Sequence, residues 1–323
     1  MTTYKEINGT NIEAVSSDPA NPVAGQVWYN TTTNVVKGLI VTTEAAWSTG
    51  DTVNTARNGL NSGGAGTQAA ALIFGGSVPP FSALTESYNG SAWTEVADLN
   101  TARYALGGAG ATNTAVLAFG GDNPPKNETE LWGGSSWTEV ANLNTPRGYG
   151  AGVGVSTAAL FVAGNYPVSA VVEQWNGSSW TEIADVNTAV YELRGVGTVT
   201  NAIKFGGRIQ PGTRQAITES WNGSSWTEVA DLNTARSDLA AGGTYTAALA
   251  FGGNGTAISA LTEQWNGSAW TEVGDLTTAR EGLAGTGTTT AALASSGIAG
   301  SRTTATEEWN GPGTSIVKTF TDS

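Results

Sequence analysis

WNGSSWTEVADLNTAR, residues Trp221–Arg236, returns along the chain with few changes. It reads YNGSAWTEVADLNTAR at Tyr88–Arg103, WNGSSWTEIADVNTAV at Trp175–Val190 and WNGSAWTEVGDLTTAR at Trp265–Arg280, while LWGGSSWTEVANLNTPR covers Leu131–Arg147. The second Trp marks the period: Trp47, Trp93, Trp137, Trp180, Trp226 and Trp270, at steps of 46, 44, 43, 46 and 44 residues. A fixed period in this range belongs to solenoids and propellers, whose units bury their apolar faces only against one another.

One unit divides into short strands. After Arg236 comes SDLAAGGTYT, rich in Gly and Ala, then the apolar run Ala247–Gly253 closed by two glycines. A variable stretch leads to LTEQW (Leu261–Trp265), Asn266-Gly267 and SAWTEVGDL (Ser268–Leu276). No helical period of 3.6 appears, and four strands per unit is the pattern of a β-propeller blade. Asn-Gly marks a hairpin. A two-residue loop sets Trp265 opposite Ser268, and a four-residue loop sets it opposite Trp270. Either register leaves the two indoles on one face. They are expected to pack between neighbouring blades, with the Gly/Ala-rich strand nearest the axis.

The repeat resembles the kelch family of propellers, in which a Gly-Gly pair follows the second strand and an aromatic and a Trp come after it. The matching residues are Gly75-Gly76 with Tyr88 and Trp93, Gly120-Gly121 with Trp132 and Trp137, Gly206-Gly207 with Trp221 and Trp226, and Gly252-Gly253 with Trp265 and Trp270. Unit three departs with Ala163-Gly164, and unit six with Ser296-Gly297 and Thr314 where a Trp belongs. The resemblance implies an all-β, six-bladed kelch-like propeller over residues 41–323. Unit six lacks an outer strand, and the segment around Trp47 is an outer strand without a blade. Ring closure by Trp47 is therefore expected. The alternative is a partial seventh blade from residues 26–52, with Ile316–Phe320 as the last strand of unit six.

Residues 1–40 lie outside the repeat and read as a β-hairpin. Pro22, Gly25, Trp28, Tyr29, Asn30 and Lys37 resemble a short segment of bacteriophage tail-fibre and other virion proteins, including those of marine phages. That resemblance implies an attachment segment contacting other virion proteins.

Lys and Arg total 14 against 27 Asp and Glu, a net charge of −13, so a nucleic-acid partner is not expected. The acidic residues recur with the repeat and read as a solvated surface. Cys and His are absent, which removes Ser-His-acid and Cys-His catalysis and the His/Cys ligands of a kelch-like copper oxidase. No Asp-rich calcium loop appears, so neither cofactor nor metal is expected, and no enzymatic activity. The first residues carry no secretory signal, and no apolar run suits a membrane span. The Asn-Gly-Ser triplets are read as turns, not glycosylation sites. Asp98, Asp185, Asp231 and Asp275, the WTE glutamates, and Arg57, Arg103, Arg147, Arg236 and Arg280 recur blade by blade. They are read as structural, the arginines pairing with carboxylates or carbonyls.

Function is expected where the units differ. Between the double Gly and the TE dipeptide or its equivalent they read SVPPFSAL, DNPPKNE, NYPVSAV, RIQPGTRQAI, NGTAISAL and IAGSRTTA. Variable loops on a rigid scaffold are the usual place for recognition. Phe81, Lys126, Tyr166, Arg208, Gln210 and Arg214 are the candidate binding residues, and the six period-marking Trp are structural. The expected function is recognition by a phage virion protein, its loop face meeting a host surface receptor, such as a glycan, or a virion neighbour. A homo-oligomer in the particle is compatible with this. The alternatives are an intracellular kelch adaptor and a carboxylate-dependent polysaccharide enzyme.

Overall fold

The apolar run before the double glycine is a strand in every copy: Ala70–Phe74, Ala115–Phe119, Ala158–Gly164, Ala202–Phe205, Ala247–Phe251 and Ala291–Ser295. Residues on both of its faces are buried, as in a strand covered from two sides. The glycines that stop it are required by geometry. Gly75 has φ +67°, and a Cβ there would lie 2.7 Å from both the Arg103 carbonyl oxygen and Leu106 Cδ2.

In this computed structural model the described residues are 12–20, 22–23, 25–41, 45–60, 63–122, 124–165, 167–312 and 315–320. Among them there is no helix, and the chain forms two compact units, Ala46–Trp309 and Met1–Ala45 with Asn310–Ser323.

The larger unit contains six four-stranded antiparallel sheets, numbered here in chain order. Sheet 1 runs outward from Gly64–Thr67 through Ala70–Phe74 and Thr85–Tyr88 to Trp93–Val96. Sheets 2, 3 and 5 repeat this order, starting at Gly107–Thr112, Ala151–Val155 and Ala240–Thr244. Sheets 4 and 6, starting at Arg194–Gly197 and Ala284–Gly287, each add a two-stranded hairpin in the variable linker, Arg208–Ile209 with Thr213–Arg214 and Ile298–Ala299 with Ser301–Arg302. The innermost strands contact one another in a cycle from sheet 1 to sheet 6 and back to sheet 1. Gly permits that approach: a Cβ on Gly152 would meet the Gly108 carbonyl oxygen at 2.3 Å.

Sheet 6 takes its outer strand from the far end of the chain. Ala46–Thr49 lies beside Thr306–Asn310, and Ser315–Phe320 pairs instead with Val35–Val41. The alternative in which Ile316–Phe320 ends unit six is thereby overturned. Thr314 lies outside the described residues.

The hairpins choose the four-residue loop. Trp265 pairs with Trp270, Trp221 with Trp226, Trp175 with Trp180 and Trp132 with Trp137. The Asn266 side chain fixes the loop by accepting from the Ser268 and Ala269 amides, a side-chain turn that the two-residue register would not need. Ring centroids of Trp265 and Trp270 are 5.4 Å apart. The outer Trp reaches the preceding sheet: Trp137 Nε1 donates to Thr85 Oγ1 at 3.0 Å and its ring lies edge-on to Phe74. Trp180, Trp270, Trp93 and Trp47 donate likewise to Thr129, Thr218, Thr306 and Thr262. Such aromatic pairs add about 0.5–1.5 kcal/mol beyond burial.

The smaller unit is one sheet in the order Glu13–Val15, Val27–Asn30, Val35–Val41, Ser315–Phe320. The division expected at residue 40 therefore omits a C-terminal strand that completes this sheet. Asp18 ties the sheet together by accepting from Trp28 Nε1, Asn30 Nδ2 and Lys37 Nζ at 3.0, 2.7 and 2.7 Å. The residues that carry the virion-segment resemblance thus include the three donors around one carboxylate.

Candidate functional site

In sheets 1, 2, 5 and 6 the variable linker is held at both ends by the Arg of the repeat. Arg103 Nη1 donates to the carbonyls of Gly120 and Glu128, which stand at the two ends of the sheet 2 linker, at 2.9 and 2.6 Å. Its Nη2 reaches Glu130 at 2.8 Å, and both side chains are buried. Arg57, Arg236 and Arg280 do the same with Glu86, Glu263 and Glu307. Arg147 pairs with Glu173 at 2.5 Å and lies 4.5 Å from the Phe161 ring centroid. Burial lowers the pKa of each of these arginines, and the carboxylates oppose that shift. The Asn of NTAR completes the clamp: Asn100 donates to Glu130 from its backbone N and from Nδ2, at 2.7 and 2.8 Å. These glutamates belong to the TE dipeptide, whereas the WTE glutamates are exposed.

Sheet 4 departs. Val190 stands where the others have Arg, and Lys204 on the second strand pairs with Glu219 at 2.8 Å, both side chains fully buried.

The start of each sheet forms a second ring. Two residues past the TAR triplet, Gly59, Ala105, Tyr149, Glu192, Asp238 and Gly282 all have φ between +51° and +62°. The amides of Ala105, Tyr149, Glu192, Asp238 and Gly282 donate to the carbonyl of the same position one sheet earlier, at 2.8–3.0 Å, and Leu60 N donates to Gly282 O at 3.3 Å. This annulus of backbone hydrogen bonds joins consecutive sheets. Below it, the innermost strands enclose a cavity of about 130 Å³ lined mainly by Gly, into which Arg194 alone brings a charged side chain.

The annulus carries side chains of two kinds. Phe81 stacks on Tyr104 with centroids 5.0 Å apart, and Tyr104 meets Tyr149 edge to face at 5.8 Å. Tyr149 OH donates to Tyr104 OH, which donates to Asp122 Oδ2 at 2.9 Å. Burial raises the Tyr104 phenol. Beside them, Arg208 Nε lies 2.5 Å from Glu192 Oε2 and 2.9 Å from Ser237 Oγ, and Arg208 Nη2 is 3.8 Å from Asp238 Oδ2. Burial and the neighbouring Glu192 push the Asp238 carboxyl well above the carboxylate range. Burial also brings Arg194 down to about 10, against the pull of Asp238 and Glu192. Among the described residues no group of three or more Asp, Glu, His or Cys is placed to hold a metal.

The sequence-chosen residues fall in different settings. Phe81 and Arg208 join the ring cluster. Arg214 Nη2 donates to Asn254 Oδ1 at 2.6 Å, and Asn254 donates to Glu281. Both guanidinium groups of loop 208–217 therefore already serve internal acceptors, a function that their number in an acidic chain does not reveal. Lys126 lies 3.5 Å from Glu128, and Gln210 is exposed at a hairpin tip. Tyr166 lies outside the described residues. Tyr104, Tyr149, Glu192 and Asp238 were not singled out in sequence, because their segment reads only as the Gly/Ala-rich lead of the first strand. Aligning the six copies at the TAR triplet exposes the signal: one position holds Gly, Ala, Tyr, Glu, Asp and Gly.

No protein-family model matches the chain, and no curated protein matches it. Its fold is similar to the solved structure of YjhT, at a TM-score of 0.66 and 12% identity, over 83% of this chain and 99% of that one. At that identity the likeness concerns fold alone, and with the all-β sheets above it makes this chain a protein of β-propeller-like fold.

Proposed function

We propose that the chain is a six-bladed, kelch-like propeller of a phage virion, of the tail-fibre or appendage kind, with no enzymatic role. It presents its linker face to a host surface receptor or to a virion neighbour, and residues 1–40 attach it to other virion proteins. The observation that supports this most is the contrast between near-identical sheets and unlike linkers, four of which are gripped at both ends by a buried Arg–Glu pair. A scaffold that spends a buried ion pair in most units on fixing loop ends suits a surface whose loops must be presented in set positions. The hydrogen bonds of Asp18 support the attachment role, since they hold the Trp28–Asn30 hairpin as a small sheet of its own.

Mass spectrometry of purified particles, with labelled antibody to locate the chain, tests this reading. The protein is expected in stoichiometric amount on an external structure, and purified full chain is expected to compete with particles for adsorption. Absence from particles refutes the virion role and favours an adaptor inside the cell.

A further inference from the structure

The position two residues past TAR is held in the left-handed region in all six sheets. Gly is the residue that region favours, and Gly59 and Gly282 supply it in sheets 1 and 6. Sheets 3, 4 and 5 place Tyr149, Glu192 and Asp238 there instead, one after another around the annulus. Large polar side chains kept against backbone preference at adjacent points of one ring suggest a use for those side chains.

Their chemistry narrows the ligand. Glu192, Asp238 and Asp122 oppose a phosphate or sulfate, and Arg208 with Arg194 opposes a bare cation. The remaining equipment is mixed. Phenol hydroxyls donate and accept, carboxylates accept and the guanidinium donates. Half-buried rings of Phe81, Tyr104 and Tyr149 lie beside them. A neutral sugar answers to such a set, since its vicinal hydroxyls both donate and accept while its C–H face packs on an aromatic ring. Glu192 and Asp238 both face the Arg208 guanidinium, which sets a donor and acceptors at one point of the ring. Resting on the reading of this face as a receptor-binding one, we propose that Tyr104, Tyr149, Glu192, Asp238 and Arg208 form a binding site for a neutral sugar at the end of a glycan chain.

The test uses the full chain on an array of neutral oligosaccharides, followed by saturation-transfer NMR with the methyl glycoside of whichever terminal sugar binds. Tyr149→Gly and Asp238→Gly each give the ring position the residue that Gly59 and Gly282 already provide, so melting is expected to hold or rise. Each variant is expected to weaken sugar binding at least tenfold, and Glu95→Gln, on an exposed outer strand, to leave it unchanged. No bound neutral sugar, or binding that survives both glycine variants, overturns the proposal. Sugar binding by a protein absent from particles leaves this site standing and refutes the virion reading. Adsorption lost with Tyr149→Gly while no sugar binds overturns the sugar and keeps the receptor role.

Discussion

Lys204 and Glu219 face each other on neighbouring strands of sheet 4, 2.8 Å apart and out of contact with water, in place of the Arg–Glu pair of the other five sheets. The burial of Glu219 keeps its demand for a cation, and its backbone donors do not change: Asn187 N still reaches it at 2.7 Å. Once Val190 replaces Arg, the charge must come from elsewhere, and Lys204 stands where sheets 2 and 5 have Ala118 and Ala250. Removing one partner of a buried pair strands the other.

Lys204→Met is therefore expected to cost about 3–5 kcal/mol of unfolding free energy. Adding Val190→Arg to Lys204→Ala is expected to restore most of the loss, since it rebuilds the arrangement of sheets 1, 2, 5 and 6. Urea unfolding of the three variants measures this. Wild-type stability for Lys204→Met would show that Glu219 needs no cation.

Trp226 breaks the pattern of the outer indoles. Its Nε1 is buried with no hydrogen-bond partner, because the preceding sheet has Val172 at the Thr position. Val172→Thr is expected to stabilise the chain by about 0.5–1.5 kcal/mol, the net value of one new hydrogen bond. The reverse change, Thr218→Val, removes the acceptor of Trp270 and is expected to cost about 1–3 kcal/mol. The two melting shifts should have opposite signs.

Closure of sheet 6 depends on residues 46–49. A chain beginning at residue 58 loses that outer strand and the Trp47 indole, which is 6% exposed and 4.8 Å from Phe251. It is expected to melt far below the full chain, whereas residues 45–309 keep the larger unit whole and are expected to melt near its own transition. Trp180→Ala, at an indole 5% exposed, is expected to cost about 3–5 kcal/mol. Trp28→Ala is expected to spare the larger unit. Calorimetry separates these outcomes, and equal melting of the 58–323 and full chains would refute closure.

Asp18 is expected to titrate far below an ordinary carboxylate. Lys37, Asn30 and Trp28 hold its pKa down to about 2. A depressed carboxylate contributes stability above its unfolded value near 4, and the contribution is lost as pH falls through the folded value. The Trp28 indole N–H resonance, followed by NMR on acidification, should shift with a midpoint near 2. A midpoint near 4 would show that the three donors do not grip this carboxylate.

Much of the fold was legible because it is written several times. The period, the four strands, the paired indoles and the closing strand around Trp47 all follow from residues that recur in phase. The buried glutamates were harder to see, because Glu86 and Glu95 look alike in sequence and even share a face of sheet 1 as cross-strand partners, yet Glu86 is buried on the third strand and Glu95 is exposed on the outer one. The ring cluster was harder still. Tyr149, Glu192 and Asp238 each differ from their counterparts, so a search for recurrence passes over them, and the left-handed backbone that makes them unusual has no marker in the sequence beyond Gly59 and Gly282. The use of Arg208 depended on contacts between sheets 4 and 5, which no single copy contains.

The seam of sheet 6 also orders events in time. Ser48 Oγ reaches the Glu308 carbonyl across 260 positions of chain, while every other outer strand follows its neighbour through a four-residue turn. Loop-closure entropy grows with the logarithm of length, which makes the longer connection worse by about 3–4 kcal/mol. Five sheets can form as local hairpins as soon as their residues leave the ribosome, but the sixth must wait for its last three strands to be synthesised. The same seam is the first to part, so backbone amides of Ala46–Thr49 should exchange with deuterium ahead of those in Trp180–Ile183. A partner that gripped both sides of this joint would stiffen the whole ring while touching only one sixth of it.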